Sequence, residues 1–284
     1  MFYLIQLLNG IQYGLLLFLL ASGLTLIFGI MGVINLAHGS FYMVGAYLAY
    51  WFSRVTGSFW LAVPLGVLVA LIIGIVLEIT LFRRLYKRDH LYQVLLTFGL
   101  ILILEELRSI VFGDDVHGVA IPALLDTSVR LTDTLSYPVY RLFITMVCLL
   151  IAGAMYFVIQ KTRLGMMIRA GNSNREMAAS LGINIPLLFA LVFAFGVALA
   201  ALAGIIAAPV SSVFPGMGNQ ILIICFVVVV IGGIGSIHGA MIASLAIGLA
   251  DTLGKIFAPE LSGIAVYLLM AVILLWRPQG LAGG

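Results

Sequence analysis

The chain has 284 residues, of which 63% are hydrophobic and only 9% are charged, and its mean hydropathy is +1.23. Soluble domains carry about 25% charged residues, so this composition excludes a water-exposed globular protein. The net charge of +3 is small, which argues against a nucleic-acid partner. The apolar runs are continuous rather than alternating, and this favours helices over a β-barrel. We therefore predict an all-α, polytopic membrane protein in a lipid bilayer, with one domain over residues 1–284.

Apolar runs near the ~20 residues that a bilayer core requires recur along the whole chain. They predict eight or nine transmembrane helices, depending on whether two shorter, glycine-interrupted runs both cross fully. The predicted spans are 5–31, 36–53, 59–82, 91–112, 138–160, 185–208, 219–234, 238–253 and 261–276. Residues 209–218 are expected to form a turn or a re-entrant piece. Cys148 and Cys225 lie inside two spans and are interpreted as packing residues, not as a disulfide or a metal pair.

Charged residues are concentrated in a few connections, and their placement predicts the orientation of the chain. The connection after the third span and the segment 161–184 are both basic, so we place both in the cytoplasm. The connection 113–137 is acidic and is therefore expected outside. The C-terminus then lies in the cytoplasm, and the N-terminus lies outside if the first two spans are separate full crossings. The charges used are Arg83, Arg84, Lys87, Arg88, Arg277, Asp114, Asp115, Asp126 and Asp133.

The basic segment 161–184 separates two long apolar runs and contains a predicted short helix. Ser173 is a candidate N-cap, and Glu176 three residues later is its partner in a capping box. Gly182 is a stop signal. Met177 and Leu181 lie one turn apart and form an apolar stripe. A capped helix with an apolar stripe between two membrane runs indicates a segment that docks onto another protein.

The chain lacks the motifs of a protein that hydrolyses a nucleotide. No G-x-x-x-x-G-K-[ST] sequence, the phosphate-binding loop of nucleotide hydrolases, is present. The metal and redox motifs H-E-x-x-H and C-x-x-C do not occur either. If transport is active, a partner must hydrolyse the nucleotide or an ion gradient must drive it. A gradient-driven carrier usually keeps several ionisable residues at mid-membrane. The few candidates are Glu78, Glu105, Glu106 and Asp251, and Glu105 is within salt-bridge reach of Arg108 three residues on.

Two glycine-rich segments resemble each other, GVINLAHG at 32–39 and GGIGSIHG at 232–239. Transporters often contain repeats with interrupted helices at corresponding positions. Broken helices are tolerated in a membrane only inside protein or beside a water-filled cavity. The candidate pathway residues are therefore Asn35, His38, Gly39, Ser40, Gly45, Gly232, Gly233, Gly235, Ser236 and His238. The alternatives are that the histidines are helix caps or core residues and that the glycines only permit close packing.

Several motifs together resemble one family. Residues 23–50 (GLTLIFGIMGVINLAHGSFYMVGAYLAY), residues 163–209, the GGIGSIHGAMIASLAIG segment and the closing RPQGL are similar to the LivH-type permeases of branched-chain amino acid ABC importers. The resemblance covers nearly the whole chain, in order.

The resemblance implies a permease subunit that pairs with a LivM-type second permease subunit. Two cytoplasmic ATPase subunits would bind ATP and Mg²⁺, a periplasmic binding protein would deliver leucine, isoleucine or valine, and the bacterial inner membrane would hold the assembly. This chain would carry no cofactor or metal and would not itself be an enzyme. The segment 161–184 resembles the coupling loop of importers, although Met177 stands where a strict E-A-A motif has alanine. The implied ATPase-coupling residues are Arg169, Ser173, Arg175, Glu176, Met177, Ala178, Ala179, Leu181 and Gly182.

Other functions remain open at this point. Relatives in the same superfamily carry urea, short amides or other amino acids, and the sequence does not separate these substrates. A self-sufficient carrier or channel is a more distant alternative, although it would have no use for a docking segment. An intramembrane protease is disfavoured, because Ser236 and His238 are two residues apart and face different ways on a helix.

Overall fold

The computed structural model describes residues 2–86, 88–132, 135–257 and 259–282, so Lys87 and Asp133 lie outside the described residues. Within these ranges the chain forms eleven α-helices, one β-hairpin and two short 3-10 turns, Phe82–Arg84 and Pro259–Leu261. The helices are α1 (Phe2–Met31), α2 (His38–Thr56), α3 (Phe59–Thr80), α4 (His90–Phe112), α5 (Val139–Lys161), α6 (Arg163–Ser173), α7 (Arg175–Ser180), α8 (Ile185–Ser211), α9 (Met217–Gly232), α10 (Ile237–Phe257) and α11 (Ser262–Trp276).

The long helices coincide with the apolar runs, which confirms the helical membrane class. Among the described residues, five stretches are long and apolar enough to cross a membrane, and two further apolar helices are shorter. The five are Tyr3–Met31, Phe59–Arg84, Val139–Lys161, Ile185–Ser211 and Ile237–Phe257, and the two are Met217–Gly232 and Gly263–Trp276. The helices α2 and α4 also lie at predicted spans but carry more polar residues.

The helices α1 and α8 form the centre of the bundle. In their most apolar stretches, 89% of α1 and 67% of α8 is buried, against 22% for α3 and 17% for α5. Small residues allow the close contacts. A side chain at Gly14 would lie 2.9 Å from the Cα of Leu245 in α10, and one at Gly45 would lie 2.5 Å from the Cα of Ala201 in α8. Backbones at this separation are typical of helices that associate through small residues.

The prediction of a turn or re-entrant piece at 209–218 is wrong at its beginning, because α8 continues through Pro209 to Ser211. The preceding residues Ile205 and Ala208 are almost fully buried against the bundle. Their packing keeps the helix intact although proline removes one backbone donor. The helix ends at Ser211, because the next residue, Ser212, has a φ of 59° and leaves the helical region.

The acidic connection 113–137 contains structure that the all-α prediction did not include. The strands β1 (Ser128–Thr132) and β2 (Leu135–Pro138) pair in antiparallel fashion, with Arg130 opposite Ser136. The connection is also held to the end of α8, because His117 and Val213 exchange two backbone hydrogen bonds of 2.8 Å. The two cysteines, Cys148 and Cys225, are free and fully buried, as expected for packing residues.

Candidate docking helix and interhelical breaks

The basic segment 161–184 forms two helices, where the sequence predicted one. Thr162 caps α6 by accepting a hydrogen bond of 3.3 Å from the backbone N–H of Gly165. Because α6 then extends to Ser173, that serine is the last residue of a helix, and its prediction as the N-cap of the next helix is wrong. The N-cap of α7 is Asn174, whose Oδ1 accepts a 3.0 Å hydrogen bond from the N–H of Met177. Asparagine is at least as good an N-cap as serine, so the shift by one residue costs no cap energy.

The prediction of Gly182 as a stop signal is confirmed. Its φ of +89° is the left-handed conformation that glycine adopts without a steric penalty. The N–H of Gly182 donates to the carbonyl of Ala179 at 3.0 Å, and the N–H of Ile183 donates to the carbonyl of Ala178 at 3.1 Å. This pair of bonds is a Schellman motif, which satisfies the last carbonyls of the helix. The helix α7 is therefore closed at both ends by local interactions.

The two faces of α7 differ in exposure. Ala178 is only 2% exposed and faces the bundle. Met177 and Leu181 are 63% and 78% exposed, and Glu176 and Ala179 are exposed beside them. These exposed apolar side chains lie on a segment that is predicted to lie outside the membrane, so this surface is the candidate for the predicted docking onto another protein. We call this surface, Glu176, Met177, Ala179 and Leu181, the docking face.

The two arginines predicted to act in coupling do not lie on the docking face. A guanidinium nitrogen of Arg169 donates to the backbone carbonyl of Ile159, so this side chain joins α6 to the end of α5. Arg175 reaches in the opposite direction from the docking face. Its Nη2 donates a 3.2 Å hydrogen bond to the carbonyl of Ile30 near the end of α1. Of the nine predicted coupling residues, four form the docking face, two are bracing arginines, and the other three end α6, face the bundle or stop α7 (Ser173, Ala178 and Gly182).

The connection between α1 and α2, residues 32–37, is the first interhelical break. It is a buried segment in which Val33, Asn35 and Ala37 are almost fully enclosed. The side chain of Asn35 accepts a 3.1 Å hydrogen bond from the N–H of Ala37, while its amide nitrogen has no partner. The break does not simply turn the chain at the end of α1. It returns the chain along α1, so that α2 begins beside the middle of that helix.

His38, the first residue of α2, shows how deep the new helix begins. Its Nε2 lies 2.9 Å from the carbonyl oxygen of Leu20, which is about 16 Å before the end of α1 at 1.5 Å per residue. The ring is fully buried, and its Nδ1 has no hydrogen-bond partner. His38 is thus a core residue at a helix start, which is the alternative that the sequence left open beside a role in the pathway. The non-helical residues 33–35 and the turn at Leu36 and Ala37 bring the chain back beside α1 before α2 begins.

The second break, residues 233–236, lies between α9 and α10. Gly233 and Gly235 have φ values of +93° and +81° and reverse the chain. Ser236 accepts a 3.1 Å hydrogen bond from the N–H of Gly239 through its hydroxyl. His238 is exposed and packs edge-on against the ring of Tyr156 in α5, with 6.1 Å between centroids. This break borders a cleft of about 480 Å³ between α1, α5 and α10.

The structure brings the two breaks into contact. A side chain at Gly29, just before the first break, would lie 2.9 Å from the Cα of Gly235 in the second. The beginnings of α2 and α9 also meet, because a side chain at Gly218 would lie 3.2 Å from the Cα of Ser40. The predicted pathway residues thus occupy two different environments. Those of the first break are enclosed by the bundle, whereas Gly235, Ser236 and His238 border the open cleft.

A charged network at the far end of α4 includes the predicted pair of Glu105 and Arg108. Their ion pair is confirmed, with 3.0 Å between Oε1 and Nη2. Sequence reasoning missed two further partners. Asp114 accepts from Arg108 at 2.7 Å, and the same Oε1 of Glu105 accepts a 3.0 Å hydrogen bond from the N–H of Gly216, just before α9. The Arg108 guanidinium and then the Ser109 hydroxyl lower the pKa of the Asp114 carboxyl below its ordinary value. The carboxylate is thus ionised at neutral pH.

Comparisons with known proteins show which family the sequence resembles. The family described as "Branched-chain amino acid transport system / permease component" matches residues 6–274. The high-affinity branched-chain amino acid transport system permease protein BraD of Pseudomonas aeruginosa is 32% identical, with 99% of this chain and 96% of that protein covered. The corresponding permease protein LivH of Escherichia coli strain K12 is 31% identical, with 100% and 96% covered.

A second type of permease is also similar. The permease protein LivM of Escherichia coli strain K12 is 28% identical over 93% of this chain and 67% of its own length. No solved structure matches the chain significantly. Because the family match includes all but short terminal segments, and because BraD and LivH are similar over nearly their whole length, the chain belongs to the family of branched-chain amino acid transport system permease components.

Proposed function

We propose that the chain is the membrane-spanning permease subunit of an ATP-driven importer for leucine, isoleucine and valine. The observation that carries this proposal is α7, a capped helix with an exposed apolar docking face between long apolar helices. The chain has no recognisable nucleotide-binding motif of its own, so energy must enter from another subunit. The printed names of the similar permeases support the substrate class.

The docking face binds a groove of a cytoplasmic ATPase subunit, and ATP and Mg²⁺ bind to that partner. Met177 and Leu181 supply the apolar contact, and Glu176 in the first turn complements the positive end of the helix. Two ATPase subunits serve two permease subunits, of which the second is of the LivM type. ATP-driven closure of the ATPase pair moves α7 and switches the translocation path between outward-open and inward-open states. A periplasmic binding protein delivers the amino acid.

The proposed location is the bacterial inner membrane, with α7 and the C-terminus in the cytoplasm and the N-terminus and the hairpin outside. Basic residues in the connections 83–88 and 161–175 support this orientation. A zwitterionic amino acid requires polar groups for its two charges and an apolar wall for its side chain. The two interhelical breaks and the first residues of α2 and α10 supply such polar groups, in Asn35, His38, Ser40, Ser236 and His238. Gly39, Gly45, Gly232, Gly233 and Gly235 allow the helices to approach one another around them.

The test is uptake of labelled leucine into vesicles that contain the full complex of both permeases, both ATPases and the binding protein, with labelled urea in parallel. We expect ATP-dependent uptake of leucine that excess isoleucine and valine inhibit. Uptake of urea but not leucine would contradict the substrate class while preserving the importer. Leucine flux through this chain alone, without ATPase subunits, would contradict the importer and favour a self-sufficient carrier.

A further inference from the structure

The side chain of Arg175 connects the docking helix to the first interhelical break. Arg175 is the first residue of α7, and its Nη2 donates to the carbonyl of Ile30 at 3.2 Å, one residue before the end of α1. Among the described residues, it is the only residue of α7 with a side-chain hydrogen bond to a distant part of the chain. We infer that Arg175 is a positioning residue that transmits the movement of α7 to the α1–α2 break.

The break is shaped to receive this guanidinium. Gly32 begins the break with a φ of +65°, and a side chain there would lie 3.2 Å from Nη2 of Arg175. An alanine at this position would be strained by its backbone and would also press against the guanidinium. The glycine therefore permits both the chain reversal and the close approach of the arginine to the α1 carbonyl.

The same guanidinium is held from its other side by an aromatic ring. The Cζ of Arg175 lies 5.3 Å from the centroid of Phe189 in the second turn of α8, which is cation–π geometry. Phe189 in turn packs edge-on against Tyr86, with 5.1 Å between centroids. A planar guanidinium stacks on a ring and donates hydrogen bonds at the same time, whereas a lysine ammonium lacks this geometry.

Behind Phe189 lies a buried carboxylate that fixes the ring stack to α3. The side chain of Glu78 is fully buried and accepts 2.6 Å and 2.9 Å hydrogen bonds from the Tyr86 hydroxyl and from Nη2 of Arg83. Burial first, and then the hydrogen bond to Glu78 and its charge, raise the pKa of Tyr86, so the phenol keeps its proton. Arg175 is thus braced against the rings of Phe189 and Tyr86, and Tyr86 stays protonated near neutral pH. A displacement of α7 therefore pulls on the Ile30 carbonyl through the Arg175 side chain.

The α1–α2 break leads directly to the buried residues at the beginning of α2. Four residues separate Arg175's contact at Ile30 from Asn35, and His38 follows after the turn at Leu36 and Ala37. The side chains of Asn35 and His38 are fully buried, and Asn35 Nδ2 and His38 Nδ1 have no protein hydrogen-bond partner among the described residues. Arg175 therefore joins the place where the ATPase docks to the deepest break in the bundle. This inference rests on the proposed function.

The experiment compares Arg175→Met with wild type in the full complex in vesicles. We expect the ATPase subunits to co-purify as in wild type, because Arg175 lies off the docking face. The amount of leucine taken up per ATP hydrolysed should fall about five- to tenfold, the size of a typical coupling between two sites. Arg175→Lys should restore part of this ratio, since lysine keeps the charge and one donor but loses the planar stack.

Three control variants separate a role of Arg175 in transmission from a general charge effect and from a role in ATPase docking. Arg163→Met removes an exposed positive charge from the same segment and should leave the ratio unchanged. Met177→Ala should release the ATPase subunits, which Arg175→Met should not. Gly32→Ala should also lower the ratio, because an alanine there strains the backbone of the break and presses against the guanidinium. Loss of ATPase subunits in Arg175→Met, or a normal ratio, would overturn the inference.

A second measurement does not depend on the substrate. Ile34→Cys places a thiol in the half-buried break, and the native cysteines are buried and free, so background labelling should be low. In the wild-type complex, labelling of this thiol should change on addition of ATP and vanadate, and Arg175→Met should abolish the change. An ATP-dependent change that persists in Arg175→Met would overturn the inference. If labelling of the thiol still depends on ATP in the otherwise wild-type complex but leucine is not taken up, only the proposed substrate is contradicted.

Discussion

At the scale of single residues, neighbouring capping signals compete. Ser173, followed by Glu176 three residues on, fits the capping-box pattern, while Asn174 beside it is an equally good cap. The structure selects Asn174 because Thr162 starts α6 early enough for that helix to include Ser173. The pattern at 173–176 predicts that a helix begins there, and the choice of residue depends on where the previous helix ends.

Replacement of the observed cap tests this assignment. Asn174→Ala should cost about 1 kcal/mol of local helix stability, which corresponds to about fivefold more frequent opening of α7. The measurement is the rate of trypsin cleavage after Arg175 in detergent-solubilised protein. The matched control is Ser173→Ala, which should leave the rate unchanged. Faster cleavage in Ser173→Ala than in Asn174→Ala would contradict the observed cap and restore the sequence interpretation.

At the scale of elements, close packing of small residues brings several pairs of helices together, in addition to a few polar contacts such as that of His38 with Leu20. The crossing of α2 and α8 shows this, because Gly45 lies against the backbone of Ala201, and Gly204 lies against the backbone near Tyr42 and Ala46. In a lipid environment, packing at short distance replaces the hydrophobic effect as the main attraction between helices. The glycines that sequence analysis assigned to a pathway therefore also have a packing role, and at Gly45 the packing role is the one visible in the structure.

A methyl group at this crossing should separate the two helices. Gly45→Ala should lower the free energy of unfolding by about 1–3 kcal/mol, because a filled interface absorbs extra atoms only through strain. The matched control is Gly153→Ala in α5, where a side chain would meet nothing within 4 Å. That control should raise stability by about 0.5–1 kcal/mol through helix propensity. In thermal unfolding in detergent, the melting temperature should fall for Gly45→Ala and rise for Gly153→Ala. An unchanged melting temperature for Gly45→Ala would contradict the packing interpretation.

At the scale of the whole molecule, the order of helices and connections predicts which side of the membrane each connection faces. The basic connection after α3 and the segment that contains α7 are separated by α4 and α5, so they should share one side. The hairpin of β1 and β2 lies between α4 and α5 and should face the other side.

Single cysteines test this orientation in intact cells. Ser128→Cys in the exposed hairpin should react with a membrane-impermeant thiol reagent added outside, and Arg84→Cys should react only after the cells are opened. The buried native cysteines, Cys148 and Cys225, provide a low background. Reaction of Arg84→Cys in intact cells would contradict the assignment of the basic connections to the cytoplasm, and with it the proposed side for ATPase docking.

Much of the molecule follows from local patterns in the sequence. Hydropathy alone places the long helices, because a bilayer requires about 20 apolar residues per crossing. The stop at Gly182 and the ion pair of Glu105 with Arg108 also depend on residues within one helical turn of each other. Such features could be predicted because the interacting groups are brought together by the helix itself.

Features that join distant segments were not predictable from the chain taken in order. The hydrogen bond from Arg175 to Ile30 and that from Gly216 to Glu105 each connect residues more than 100 positions apart. The beginning of α2 beside the middle of α1 depends on a backbone path that apolar composition does not specify. In an apolar chain many packings bury similar surface, so hydropathy determines which segments cross the membrane, whereas steric fit between small residues determines which segments meet.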